Sequence, residues 1–421
     1  MMQRHYLCID LKSFYASVEC VQRGLDPMTA KLVVADPDRS KNTICLAVSP
    51  ALKALGVKNR CRLGDIPEGL RFITAKPRMK LYIDYSAEVY GVYLKFFSKD
   101  DIHVYSVDEA FMDVTNYRDL YGLPPRELAK AVMEEIRRTT GLRATCGIGT
   151  NLYLTKIALD MLAKHAPDFI GELDEETYRA VLWSHRPLTD FWRIGTGTAA
   201  RLGRMGIFTM EDVAKTEEDV LYGMFGKDAE LLIDHAWGRE SATIADIKAY
   251  QSKTKSLSSG QVLMRDYDFD EGLLVVKEMT ELLCLEMTEQ SLVTHSLSLY
   301  IGYSGKEAVS AAKGSVSLAA DTNLTNLLVP AAANLYLRIG DRRCKVRRVN
   351  ICFNDVAPEE NIQMTLFDNV RQNAHNRAIQ HTVLDIKDRY GRNAILKGMN
   401  LTGAATTPER NRQIGGHRSG E

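Results

Sequence analysis

Apolar and polar positions along this chain switch between a two-residue and a helical period, and the switches mark its elements. Tyr6-Leu7-Cys8-Ile9 is a short apolar run ending at Asp10, and Phe14 to Val21 continues as a helix that Ser13 is placed to cap. Residues 102–115 have β-rich flanks around Ser106-Val107-Asp108-Glu109, the pattern of a tight hairpin with acids at or beside its turn. A helix over Pro125–Thr140 follows, with proline early in its first turn, then a strand over Arg143–Ile148 and a helix over Leu152–Lys164. This order predicts an α+β sheet with helices on one face.

Residues 169–242 read as all-helical. Within them Gly195 and Gly197 open a helix ahead of Met205-Gly206-Ile207, which suits either a helix-hairpin-helix, whose glycine turn offers N–H groups to a phosphate, or a plain interhelical turn. From 250 to 356 the pattern becomes strand-helix-strand-strand-helix-strand, a separate four-stranded unit. Its last strand is entered by the basic run Arg342, Arg343, Lys345, Arg347 and Arg348. Alternate strand residues face opposite sides, so only part of that run can reach one ligand. Beyond residue 357 the chain turns polar apart from Gln363-Met364-Thr365-Leu366-Phe367; residues 370–399 suit a basic helix, and disorder is expected from Thr402 onward.

Composition narrows the class. The chain has 421 residues, enough for two to four domains at roughly 100–200 residues each. It is 45% hydrophobic and 26% charged, ordinary for a soluble globular protein. No apolar run approaches the ~20 residues of a membrane span, and the N-terminus lacks a secretory pattern, so a cytoplasmic location away from membranes is expected. The eight cysteines are scattered without a CxxC pair, which argues for buried thiols rather than a zinc or disulfide framework. Formal net charge is zero, which neither supports nor excludes a nucleic-acid partner.

The candidate chemistry lies in Asp10, Asp108 and Glu109. Each follows a β-rich run, and these runs belong in one sheet, where the acids can converge on one edge. Converging carboxylates raise one another's pKa unless a cation joins them. Magnesium suits such a site, with carboxylate oxygens, waters and substrate phosphates around it, and two ions can clamp the attacking and leaving oxygens of a displacement at phosphorus. Several phosphoryl-transfer enzymes share this arrangement.

Asp10-Leu11-Lys12-Ser13-Phe14-Tyr15-Ala16-Ser17-Val18-Glu19 resembles the opening motif of Y-family translesion DNA polymerases, and Ser106-Val107-Asp108-Glu109-Ala110-Phe111 resembles their central motif. The resemblance extends over about 355 residues. It implies a multidomain α+β right-hand polymerase: palm at 1–168 with fingers inserted at about 20–77, a helix-hairpin-helix thumb at 169–245, a βαββαβ little finger at 250–356, and a flexible tail at 357–421. It implies two Mg2+ ions, with Mn2+ as a substitute, held by Asp10, Asp108, Glu109 and the Leu11 carbonyl. The substrates would be primer-template DNA and deoxynucleoside triphosphates.

Tyr15 matches the family's steric gate against ribonucleotides, where the bland alternative is a core tyrosine on an amphipathic helix. Phe14 would close the triphosphate pocket or simply pack. Lys53, in a stretch resembling the fingers motif, and Lys164, one residue further from Asp160 than is usual, would meet the phosphates; Lys156 reads as structural. Pro50 stands where many members carry a triphosphate-binding tyrosine, which is nearer the UmuC (polymerase V catalytic subunit) type than the polymerase IV type. Gly195 and Gly197 would grip DNA from the thumb, and the basic run from the little finger, where the bland alternative is a solvated edge strand kept soluble by charge. Gln363, Leu366 and Phe367 resemble the peptide that binds the bacterial sliding clamp (beta subunit), and a UmuD-like accessory protein is a further expected partner. Two other readings remain open here: a nucleotide-cyclase-like phosphoryl-transfer enzyme, and a non-catalytic clamp-tethered DNA-binding protein.

Overall fold

The computed structural model describes residues 3–39, 42–252, 255–305, 310–360 and 370–420. The chain divides into two compact units between Tyr250 and Gln251.

The first unit is built on the central strand β1 (Tyr6–Leu11), followed by α1 (Phe14–Val21). Ser13 precedes α1 in the left-handed region (φ 51°) and makes no capping bond, so the expected cap is absent; its hydroxyl instead accepts from Lys53 at 2.9 Å. A small three-stranded sheet follows, from β2 (Leu32–Val34), β3 (Ala47–Val48) and β4 (Ile73–Ala75), in the order β3-β2-β4. Helix α2 (Pro50–Ala54) carries Lys53 beside it. Next come α3 (Met79–Phe96), β5 (Ile102–Val104), β6 (Glu109–Asp113), α4 (Tyr117–Tyr121), α5 (Pro125–Thr140), β7 (Ala144–Gly149), α6 (Leu152–Ile157) and β8 (Ile170–Leu173).

The main sheet runs β5-β6-β1-β7-β8. Leu7, Cys8 and Ile9 are all fully buried, so both faces of β1 are covered. Tyr6 and Cys8 pack toward Leu152, Leu159 and Ala163, while α3 and α5 pack on each other and α5 on β7. Helices therefore lie on both faces rather than one.

Three glycines explain how closely one helix approaches. A Cβ at Gly147 would fall 2.2 Å from the Thr155 carbonyl oxygen, one at Gly149 2.4 Å from the Thr155 nitrogen, and one at Gly171 2.5 Å from the Ala158 carbonyl oxygen. The helix expected over Leu152–Lys164 is regular only to Ile157, and Ala158–Ala163 continues as a π-turn. A π-turn accommodates one extra residue within a helix, which accounts for the longer spacing from Asp160 to Lys164.

Residues 169–242 are not wholly helical, because β8 joins the main sheet parallel to β7. The helices after it are α7 (Glu175–Leu182), α8 (Thr196–Gly203), α9 (Met210–Lys215), α10 (Glu218–Phe225), α11 (Asp228–Ala236) and α12 (Ile244–Ala249). Gly195 is the N-cap residue of α8 and Gly197 lies in its first turn, with open space around both.

In the second unit, β9 (Leu257–Tyr267), α13 (Phe269–Glu289), β10 (Leu292–Tyr303), β11 (Ala312–Thr322), α14 (Thr325–Ile339) and β12 (Val346–Asn354) form a sheet ordered β11-β10-β12-β9. Leu297, Leu299, Ile301, Val349, Ile351 and Phe353 form its core with α13 and α14. The other face carries Ser296, Ser298, Tyr300, Ser315, Arg348 and Asn350, in register with one another.

Beyond 369 the chain is folded, contrary to the disorder expected from Thr402. Helix α15 (Val370–Tyr390) docks through Gln380, which donates to Thr288 and accepts from the Thr325 nitrogen, both at 2.8 Å. Buried Glu278 of α13 then accepts from Asn400 and from the Thr406 nitrogen, both at 2.8 Å. Arg410 donates to Gln261 and Ser259 of β9.

Candidate active site

The register of the main sheet builds the site. Asp10 of β1 pairs directly with Glu109 of β6, and the Leu11 nitrogen donates to the Asp108 carbonyl oxygen at 2.9 Å. Asp108 occupies the β5–β6 turn and Glu109 begins β6, so Asp10, Leu11, Asp108 and Glu109 share one edge. Asp113, at the far end of β6, accepts from Thr115 and takes no part.

Each of the three carboxylates has partners of its own. Asp108 accepts from the Ser106 hydroxyl at 2.7 Å. Glu109 is buried; its oxygens accept from Lys156 at 2.8 Å and from the Cys8 thiol at 3.2 Å. Asp10 has Lys164 at 3.9 Å. Among the described residues no group of three metal-ligating side chains is already gathered. The electrostatics nonetheless favour a cation. Burial pushes the Asp10 carboxyl up to about 7; Lys164 opposes this, and Asp108 and Glu109 add to it. An acid this disfavoured beside two others is discharged most directly by a divalent ion, which takes hard oxygen ligands of the carboxylate and carbonyl type.

Lysines surround the same edge. Asp160, in the π-turn, bridges Lys164 at 2.7 Å and Lys156 at 3.1 Å. Burial works against the charge of Lys156, but Glu109 and Asp160 outweigh it and keep it an ammonium. Burial lowers Lys53; Asp10 acts in the opposite sense, while Lys12 and Lys164 lower it further. Lys12, which lies over the Phe169 ring at 4.4 Å, thus joins a crowded set of cations suited to a polyphosphate. Lys12 is not among the residues that the sequence motifs single out, and Lys156, expected to be structural, is the buried counter-charge of Glu109. The i, i+4, i+8 spacing of Lys156, Asp160 and Lys164 was the available signal.

Tyr15 stacks on Tyr82 of α3, with ring centroids 4.4 Å apart and planes 17° apart. Phe14 is buried and meets Tyr82 edge-on. Pro50 begins α2 three residues before Lys53.

The basic run separates as strand geometry requires. Arg348 lies on the serine-rich face of the second unit. Arg347 pairs with Asp266 at 3.6 Å, Arg343 with Asp341 at 2.9 Å, and Arg342 covers the Phe269 ring. Lys345 is exposed just before β12. Gln363, Leu366 and Phe367 lie outside the described residues.

A strand-and-hairpin carboxylate edge flanked by lysines suits phosphoryl-transfer chemistry, and comparison with known proteins gives the chain's family. Residues 9–160 match the impB/mucB/samB family, and residues 254–366 match that family's C-terminal domain. A putative UV-damage repair protein, UvrX, of Bacillus subtilis is 33% identical over 99% of this chain and 98% of its own length. A DNA polymerase IV 2 of the same organism is 30% identical over 99% of both chains. A solved Y-family DNA polymerase chimera, Dbh-Dpo4(243-245)-Dbh, superposes with a TM-score of 0.66 at 22% identity, covering 84% of this chain and 99% of that one, and shares the fold. The chain belongs to the impB/mucB/samB family and is a Y-family DNA-directed DNA polymerase of the translesion type.

Proposed function

We propose that this polymerase extends a primer 3′ end along a DNA template by two-metal nucleotidyl transfer, with low fidelity, and copies damaged DNA. The observation that carries this is the shared edge of Asp10, Leu11, Asp108 and Glu109 flanked by Lys53 and Lys164. Asp10, Asp108, Glu109 and the Leu11 carbonyl would hold two Mg2+ ions, or Mn2+ in their place. Bound there, such ions make the primer hydroxyl a better nucleophile and offset charge on the triphosphate. Ser106 and Lys156 would orient Asp108 and Glu109 beforehand. Lys53 and Lys164 would neutralise the phosphates, and Pro50 offers them no hydroxyl. Tyr15 would lie against the sugar at C2′ and exclude a ribose hydroxyl.

Gly195 and Gly197, with unobstructed space at the start of α8, suit a DNA phosphate. Arg348 and Lys345 are the members of the basic run best placed for DNA, because Arg343 and Arg347 are already paired. Gln363, Leu366 and Phe367 would tether the enzyme to the bacterial sliding clamp, and a UmuD-like protein is a further candidate partner. A role in repair of UV damage agrees with the name of the UvrX relative.

Primer extension on one undamaged and one abasic template, with and without Mg2+, tests the reading. Metal-dependent extension on both is expected; DNA binding without extension contradicts it. Leu366→Ala with Phe367→Ala should remove stimulation by added clamp and spare clamp-free synthesis.

A further inference from the structure

We infer that sugar selection in this enzyme is set by a buried bracket behind Tyr15, made of Tyr82, Glu19 and Arg78, and not by the Tyr15 ring alone. The inference rests on the reading of Tyr15 as the residue that meets the sugar.

A steric gate works only if the ring cannot recede. A tyrosine ring on an open helix face escapes by a rotamer change of modest cost. Tyr15 has no such freedom, because the fully buried Tyr82 ring stacks on it at 4.4 Å, nearly parallel. Tyr82 is itself fixed at its far end, where its hydroxyl donates to Glu19 Oε1 at 2.8 Å. Glu19 is fully buried on α1, one turn beyond Tyr15. Arg78, immediately before α3, grips both its oxygens: Nε to Oε1 at 2.9 Å and Nη2 to Oε2 at 2.8 Å. Arg23 adds a further ion pair to Oε2. The forked guanidinium–carboxylate contact fixes direction as well as distance. It ties the start of α3 to α1, and therefore ties Tyr82 to the helix that carries Tyr15. Glu19, Arg78 and Tyr82 are positioning residues: they reach the sugar only through Tyr15.

An offset aromatic pair contributes enough to change a rate ratio by roughly two- to tenfold. Tyr82→Leu, which removes the stacked ring, is therefore expected to raise incorporation of ribonucleotides relative to deoxynucleotides by about that factor. Tyr82→Phe keeps the ring but frees its far end, and Glu19→Gln weakens the grip of Arg78. Each should shift the ratio in the same direction by less, roughly two- to threefold.

The experiment measures kcat/KM for one ribonucleoside and one deoxynucleoside triphosphate opposite the same template base, for wild type, Tyr15→Ala and these three variants of the full-length enzyme. The ratio is insensitive to the active fraction, so a variant that merely folds less well does not move it. A raised ratio in Tyr82→Leu, with smaller rises in Tyr82→Phe and Glu19→Gln, supports the bracket. An unchanged ratio in all three while Tyr15→Ala admits ribonucleotides overturns the bracket and leaves the gate standing. An unchanged ratio in Tyr15→Ala overturns the gate reading itself. Where Tyr82→Leu yields no soluble enzyme, Tyr82→Phe and Glu19→Gln decide the question by the same ratio.

Discussion

Single residues here are charged and buried at once, and each such residue is matched by a specific partner. Glu109 is 8% exposed and its counter-charge is Lys156 at 2.8 Å. Removing one partner of a buried pair leaves the other uncompensated, at a cost of about 3–5 kcal/mol. Lys156→Met should therefore lower unfolding free energy by about 3 kcal/mol in urea titrations, with a smaller loss when Glu109→Gln is added. Glu19 gives a pH test. Burial raises its pKa, but hydrogen bonds from Arg78, Arg23 and Tyr82 outweigh this and hold it below the ordinary 4.5. A carboxyl with a depressed folded pKa contributes stability that is complete above its unfolded pKa and disappears as pH falls through the folded one. The difference in thermal midpoint between wild type and Glu19→Gln should be constant above about pH 4.5 and shrink below it.

At the scale of elements, the site depends on how closely α6 and its π-turn sit on β7 and β8. The glycines at 147, 149 and 171 permit that approach. Gly147→Ala forces a methyl against backbone, and overpacking of this kind costs typically 1–3 kcal/mol. A loss of at least about 2 kcal/mol is expected, together with weaker triphosphate binding as Lys164 is displaced, read from the denaturation midpoint and the KM. The strands and helices flanking the acids were legible in the sequence, because alternation and apolar runs fix them locally. The π-turn was visible only as an unexplained extra residue before Lys164. The partners of Asp108 and Glu109 were not legible, since they depend on which side chains the folded sheet brings opposite.

At the scale of the whole molecule, two units divide at Tyr250, and the C-terminal segment shows where composition misleads. Residues beyond Thr402 read as disordered because they hold few apolar groups. They are tied to the fold instead by Thr406, whose nitrogen and hydroxyl both donate to Glu278, which is 1% exposed. Local composition carries no sign of such a distant acceptor. Deleting residues 391–420 should leave that carboxylate without donors and lower the unfolding midpoint of the second unit, with faster proteolysis within it as the measurement.

The central claim is that Asp10, Asp108 and Glu109 together carry the chemistry of a DNA polymerase, and single-turnover primer extension by Asp108→Ala, beside a parallel measurement of primer-template binding, tests it most directly. The account predicts a loss of roughly 10²–10³-fold or more in extension rate, the range seen when a group stabilising transition-state charge is removed, with DNA affinity and thermal midpoint close to wild type. Extension within a few-fold of wild type would contradict it.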